Sequence, residues 1–502
     1  MRFGAFIVLA LLACAPGRAA PAAEATASVT TYHGDAARSG HYVVPGLTWA
    51  RAATARPVAG FDGRVQGHVY AQPLYWRPPG AAHGRLIVAT EDNLVHALDA
   101  ASGREVWRRS VGQPVPGASL PCGDIDPLGI TGTPVIDAAK GTLYVDAMIE
   151  GGRGPRHLVF ALSLADGSVR PGWPVDVAEG LRARGLGFDP HLQNQRSALT
   201  LVGHRLFVPF GGHYGDCRSY HGWVVGLRTD HPGVFGGWRT AARKGGIWAV
   251  GGLAFDGHAL FAATGNTDGP PRWGGGEAII RLPPDLLWQP GPETFFAPKN
   301  WKELDESDRD LGGTNPLPID LPAGGPAAAL LLGMGKDGNA YLLDRNRPGG
   351  IGHALAVRAV AQGQIITAPA AYRVGPEVMV AFQARGIDCP GGARDAGLAA
   401  LLIAAPTPDG MRVAWCAKLD GRGAPIVTTT DGTAQPVVWV VGAEGDGMLH
   451  GFRGDTGAPV SDGGGTRMEG VRHFATVLAA EGRLYVAGDG RVHAFGFGPD
   501  LP

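Results

Sequence analysis

Val95-His96-Ala97-Leu98-Asp99-Ala100-Ala101-Ser102-Gly103-Arg104-Glu105-Val106-Trp107 is the stretch whose reading decides the fold. A short alternating strand runs into an Asp-x-x-x-Gly turn and leaves it as a second strand ending on Trp. Weaker copies centre on Ala161, Gly226, Ile280, Leu342, Leu402, Gly451 and Ala494. Another element recurs ahead of these centres, a Gly turn followed by alternating apolar residues. It reads Gly84-Arg85-Leu86-Ile87-Val88, Gly141-Thr142-Leu143-Tyr144-Val145 and Gly203-His204-Arg205-Leu206-Phe207-Val208, and returns at Gly257 and Gly482. The eight centres lie roughly 45 to 65 residues apart, the length of a four-stranded propeller blade.

One twisted four-stranded sheet cannot bury both faces alone, so such units stack radially and bury them against each other. Small Ala and Gly positions let the sheets approach, and a Trp on an outer strand can dock on the next blade. The expected fold is therefore all-β, an eight-bladed β-propeller of four-stranded antiparallel blades. Separate β-sandwiches also have regular short strands, but no linker with a shift in composition divides the repeats. The final strand, Arg491 to Phe497, is expected to share a blade with the segment near Val29 to Tyr42, which removes an open sheet edge.

Composition agrees. The 502 residues include 80 glycines and 40 prolines, which disfavours a helical bundle because each costs a helix interior about 1 and 3 kcal/mol respectively. A 45% hydrophobic content supports a large core. Lys+Arg number 44 against 45 Asp+Glu, so no net charge favours nucleic acid or an anionic membrane.

The N-terminus reads Met1-Arg2, then an apolar run from Phe3 to Cys14 that is too short to span a bilayer. Residues 1–25 read as an export signal, giving a periplasmic or secreted protein. Ala23-Glu24-Ala25 has the form of an ordinary cleavage site; Leu11-Leu12-Ala13-Cys14 has that of a lipobox, which would anchor the chain through Cys14. The other cysteines are Cys122, Cys217, Cys389 and Cys416. Three pairings are open to them; proximity favours Cys389 with Cys416, leaving Cys122 with Cys217.

The Ala97 to Trp107 run resembles the tryptophan-docking repeat of the quinoprotein (PQQ-type) alcohol dehydrogenase-like propeller superfamily, with a register change at its start. The resemblance implies that residues 26–502 form one such propeller. Because cofactor-free scaffolds share the repeat, function has to be argued from the site. Gly245-Gly246-Ile247-Trp248, with Thr264-Gly265-Asn266 after it, resembles the dehydrogenases' GG-x-W…TGN segment. By that resemblance Trp248 is the stacking floor for a planar quinone, and Asn266 offers an oxygen to Ca²⁺. Asp308-Arg309-Asp310-Leu311-Gly312 resembles the segment carrying the catalytic aspartate. The ungapped match puts the base at Asp310, also a metal ligand, with Asp308 as the competing register. Gly312 stands where lanthanide-dependent members carry a further Asp. Lys336, in Gly335-Lys336-Asp337-Gly338, would bond the quinone oxygens.

Departures from the pattern are as informative. Cys122 and Gly123 stand where two adjacent cysteines are expected, leaving Cys122 alone as a cofactor-facing residue, and Leu128 replaces an arginine. The nearest acid to the usual glutamate ligand is Asp216, one residue off register. No C-x-x-C-H motif is present, so electrons would leave to a separate carrier. A further polar group, His191, Gln195, Arg196, His213, Asp216 and His221, gathers within about 30 residues and could line a central pocket or bind a metal.

Two functions follow. One is a PQQ- and Ca²⁺-dependent oxidoreductase acting on an alcohol or sugar hydroxyl. The other is a non-catalytic propeller without cofactors that binds a protein or glycan partner.

Overall fold

Every repeat centre lies on the third strand of its own sheet, and every Gly-turn element opens a second strand. The computed structural model describes residues 28–321, 329–393 and 395–498; Cys14 and Ala23-Glu24-Ala25 lie outside the described residues. Eight antiparallel four-stranded blades follow one another around the propeller. Blade 1 is Leu74–Trp76, Arg85–Ala89, Leu94–Asp99 and Glu105–Ser110. Blade 3 ends on Gly233–Arg239, blade 4 opens on Ala254–Phe255, and blade 5 opens on Leu317–Asp320.

Burial follows position within a blade. All eight residues of Thr142–Ile149, a second strand, are buried, because neighbouring blades cover both its faces. The outermost strand of blade 1, Glu105–Ser110, is mostly exposed. Its Trp107 reaches blade 2, where Nε1 donates to Leu164 O at 3.0 Å. Gly167 is required beneath it: φ is +72°, and a Cβ would lie 2.7 Å from the indole. Trp415 and Gly457 repeat the device between blades 6 and 7, with Trp415 Nε1 donating to Gly454 O at 2.8 Å.

Ring closure differs from the expectation. The last strand, Arg491–Gly496, pairs with Arg56–Pro57, through Arg56 with Gly496 and Pro57 with Phe495. A proline is tolerated there because an outermost strand needs hydrogen bonds on one side only. The earlier segment His41–Val43 instead runs parallel to Ile426–Thr429 and joins blade 7, while Val29 bridges to Tyr75 of blade 1. Tyr485 Oη then donates to Ala100 O at 2.8 Å, sealing blade 8 against blade 1.

Both cysteine pairs are disulfides, Cys389–Cys416 with Cα atoms 5.9 Å apart and Cys122–Cys217 with 6.2 Å. Among the described residues no helix is long and apolar enough to cross a membrane.

Candidate functional site

The Gly245–Trp248 and Thr264–Asn266 segments lie side by side. Gly265 N–H donates to Gly246 O at 2.9 Å and Gly245 N–H to Asn266 O at 2.7 Å. Ile247 is fully buried in the apolar cluster that includes residues of blades 3 and 4, whereas Trp248 is half-buried. Gly265 allows the close approach here. A Cβ on it would stand 3.0 Å from Trp248 Nε1 and 2.8 Å from Asp310 Oδ1.

Asp310 arrives from the other side, just after a short helix, Trp301–Ser307. Asp305 on that helix holds the Asn266 loop, accepting from Thr267 N–H at 2.7 Å and Thr267 Oγ1 at 2.6 Å. Asp308 ends the helix in the left-handed conformation (φ 52°), and the chain then turns inward to bury Asp310. Asp310 Oδ1 accepts Asn266 N–H at 2.6 Å, and Oδ2 lies 2.5 Å from Lys336 Nζ. Lys336 also reaches the exposed Asp308 at 2.9 Å and lies 5.3 Å from the Trp248 ring centroid.

The end of the Asn266 side chain lies 3.1 Å from Asp310 Oδ1 and 3.2 Å from Asp216 Oδ2. With its nitrogen turned that way it donates to both carboxylates. With its oxygen turned that way three oxygens face one another, an arrangement that a cation between them would stabilise. Asp216 Oδ1 is occupied by Tyr220 Oη at 2.5 Å. Trp248, Asn266, Asp216, Asp310 and Lys336 thus form one cluster, drawn from positions spread over 120 residues between Asp216 and Lys336.

Burial pushes the Asp310 carboxyl above the usual range, against the pull of Lys336 and of the Asn266 N–H. Lys336 is raised: its burial works against the charge, but Asp310 and Asp308 outweigh it. Behind the cluster stands Glu277, fully buried, whose Oε2 accepts Leu311 N–H at 2.7 Å. Burial and then Asp310 push its carboxyl up to about 9. Neither Glu277 nor Tyr220 is marked by any motif; Gly274-Gly275-Gly276-Glu277 reads as a solvated loop.

Gly312 has no room for a side chain, since a Cβ would lie 2.6 Å from Gly265 N. Leu128 is buried with Val115, Ile125 and Met148. Cys122 is held in its bridge to Cys217, the residue after Asp216. The remaining polar group serves the scaffold: His191 Nε2 bonds Ser119 O at 2.8 Å, His213 Nε2 bonds His191 O at 3.1 Å, and His221 Nδ1 bonds Ala242 O at 2.8 Å. Gln195 Nε2 donates to Ser197 O. Among the described residues no three His, Cys, Asp or Glu side chains are grouped to hold a metal; the oxygen cluster above includes an asparagine.

A family model described as outer membrane protein assembly factor BamB matches residues 49–211. Quinohemoprotein alcohol dehydrogenase from Comamonas testosteroni superposes with TM-score 0.63 at 16% identity, over 95% of this chain and 81% of that one. A europium-containing methanol dehydrogenase gives 0.60 at 14% identity, over 93% and 90%. BamB from Moraxella catarrhalis gives 0.51 at 16%, over 88% and 100%. No curated protein sequence matches this chain. At these identities the likeness is one of fold.

Proposed function

From the fold of the quinoprotein alcohol dehydrogenase-like eight-bladed propellers, which this chain has, we propose that it is an exported quinone-dependent dehydrogenase oxidising an alcohol or sugar hydroxyl. One observation carries the reading: Trp248, Asn266, Asp216, Asp310 and Lys336 meet in a single cluster. The donor set fits a hard cation once the Asn266 amide turns its oxygen instead of its nitrogen to the Asp216 and Asp310 carboxylates, which would place three oxygens around one point. Gly312 leaves no space for a further acidic ligand, which favours Ca²⁺ over a lanthanide.

A planar ortho-quinone bound against Trp248, with Ca²⁺ on its carbonyl, would supply the hydride acceptor. Asp310 is the base for the hydroxyl proton. Lys336 pulls the Asp310 carboxyl back towards its charged form against the effect of burial and orients it through Oδ2. Asn266 N–H fixes the other oxygen. Tyr220 holds Asp216 in place.

The test is reconstitution with PQQ and Ca²⁺, desalting, and an absorbance spectrum, followed by dye-linked alcohol oxidation. The quinone should be retained. Asp310→Asn should lower turnover by at least ~10³-fold while leaving the melting curve and quinone retention intact. A protein that retains no quinone would instead favour the protein- or glycan-binding propeller, to which the replacement of the expected arginine by buried Leu128 also points.

A further inference from the structure

Glu277 is an acid in a place that favours none. Its backbone is left-handed, at φ 48°, and its side chain is fully buried. Gly274, Gly275 and Gly276 precede it. One more glycine would avoid both the backbone strain and the cost of a buried carboxyl. Asp216 (φ 49°) and Asp308 (φ 52°) share this conformation beside the same cluster. Asp216, however, is half-buried and Asp308 exposed, and aspartate tolerates a left-handed backbone better than glutamate. Strain of this kind gathers where a site needs a group held in one place.

The strain has a visible use. The loop that carries Glu277 is wrapped round the Asn266 turn: Thr264 Oγ1 donates to Gly275 O at 2.7 Å, and a Cβ on Gly276 would lie 2.2 Å from Thr267 Cγ2. Trp273 anchors the loop, its ring stacked on Phe295 with centroids 3.8 Å apart and its Nε1 donating to Gly276 O at 2.8 Å. From there Glu277 reaches both halves of the site. Its N–H donates to Gly265 O at 3.0 Å, one residue before Asn266. Its Oε2 accepts Leu311 N–H at 2.7 Å, one residue after Asp310. One residue thus ties the backbone beside Asn266 to the backbone beside Asp310.

We propose that Glu277 is a positioning residue of the cation site, a spacer that sets Asn266 against Asp310 without joining the donor set. The inference rests on the reading of Asn266, Asp216 and Asp310 as Ca²⁺ ligands. Groups that orient the ligands of a metal from behind are worth about 10- to 100-fold in its affinity. What the role demands of Glu277 is reach, not charge. An amide oxygen can accept the Leu311 N–H as a carboxylate oxygen does. An aspartate is shorter by one methylene, about 1.5 Å, and cannot make the 2.7 Å bond from the same backbone position.

The experiment is calorimetric titration of the purified full-length chain and of two variants with Ca²⁺ alone. Glu277→Asp keeps the acid, suits a left-handed backbone and loses the reach; Glu277→Gln loses the acid and keeps the reach. Glu277→Asp should bind Ca²⁺ about 10- to 100-fold more weakly than wild type, and Glu277→Gln should stay within about 3-fold of it. Denaturant melts in EDTA establish that each variant is folded. Unchanged affinity in Glu277→Asp, or equal losses in both variants, overturns the inference and leaves the cation reading standing. Wild-type protein that takes up no Ca²⁺ overturns that reading and the positioning role with it. Should Glu277→Asp not fold, Glu277→Leu, which has no acceptor, takes its place against Glu277→Gln under the same outcomes.

Discussion

Glu277, in the surroundings of Asp310, and Glu91, in those of Arg196, are built alike: each is fully buried and accepts one backbone N–H at 2.7 Å. Each also leaves Oε1 without a partner. Burial raises both carboxyls, and their neighbours decide how far. Asp310 and Asp305 add to the effect on Glu277 against Lys336, pushing it up to about 9. Around Glu91 the Gly129 N–H, Thr131, Arg196 and Arg472 all pull downwards, and it stops at about 7. Near neutral pH Glu277 therefore keeps its proton while Glu91 is divided between its two forms. The propeller interior has an acidic quarter and a basic one, and the same burial raises the carboxyl further in the first than in the second.

Replacing each carboxyl by its neutral amide tests that difference. A folded-state pKa above the unfolded value means that the unfolded chain loses its proton first, so stability falls as pH rises between the two. For Glu277 the window runs from about 4.5 to about 9, and for Glu91 from about 4.5 to about 7. At ~1.4 kcal/mol per pKa unit, the ceiling is on the order of 5 kcal/mol at pH 8 for Glu277 and about 3 kcal/mol for Glu91. Denaturant melts in EDTA should show Glu277→Gln stabilised at pH 8 and little changed at pH 5. Glu91→Gln should gain less, with no further gain above about pH 7. Equal gains would mean that the two surroundings do not differ in charge.

The sequence carries the fold and half of this site for a physical reason. The Gly turn, the alternating strand and the docking Trp are local signals, so Ala97 and the seven weaker centres all fall on third strands. Trp248, Asn266, Asp310 and Lys336 are visible because each sits in a short motif tied to backbone geometry. The ring closure is not legible, since Arg56–Pro57 is two residues long, has no alternation, and pairs with a strand at the far end of the chain. Glu277 is hidden for a related reason. Its burial arises only when the surrounding loops pack over it, and a lone Glu after three glycines carries no such signal.

The acidic quarter is tightly packed, and Gly312 measures this. A Cβ there meets Gly265 N and Thr264 C, both at 2.6 Å, and both are backbone atoms that cannot step aside cheaply. Gly312→Ala should cost about 1–3 kcal/mol of stability in thermal or denaturant unfolding. A neutral result would show that the Thr264–Asn266 turn is free to move, and the close approach of Asn266 to Asp310 would then lose its support.

Asp308 sets the outer limit of the acidic quarter and produces the smallest effect. It bonds Lys336 at 2.9 Å, but its side chain is 70% exposed, while that of Asp310 is 3% exposed. Water screens an exposed ion pair, which is worth about 0–1 kcal/mol, whereas the buried Asp310–Lys336 pair holds the base in place. Asp308→Asn should therefore shift stability by less than about 1 kcal/mol. Lys336 keeps its bond to Asp310 in that variant, so turnover of the reconstituted protein should change little. Parallel steady-state assays of Asp308→Asn and Asp310→Asn separate the two aspartates directly. A loss of turnover in Asp308→Asn comparable to that in Asp310→Asn would move the base one turn outward, to the rim of the site, and would leave Asp310 as a ligand alone.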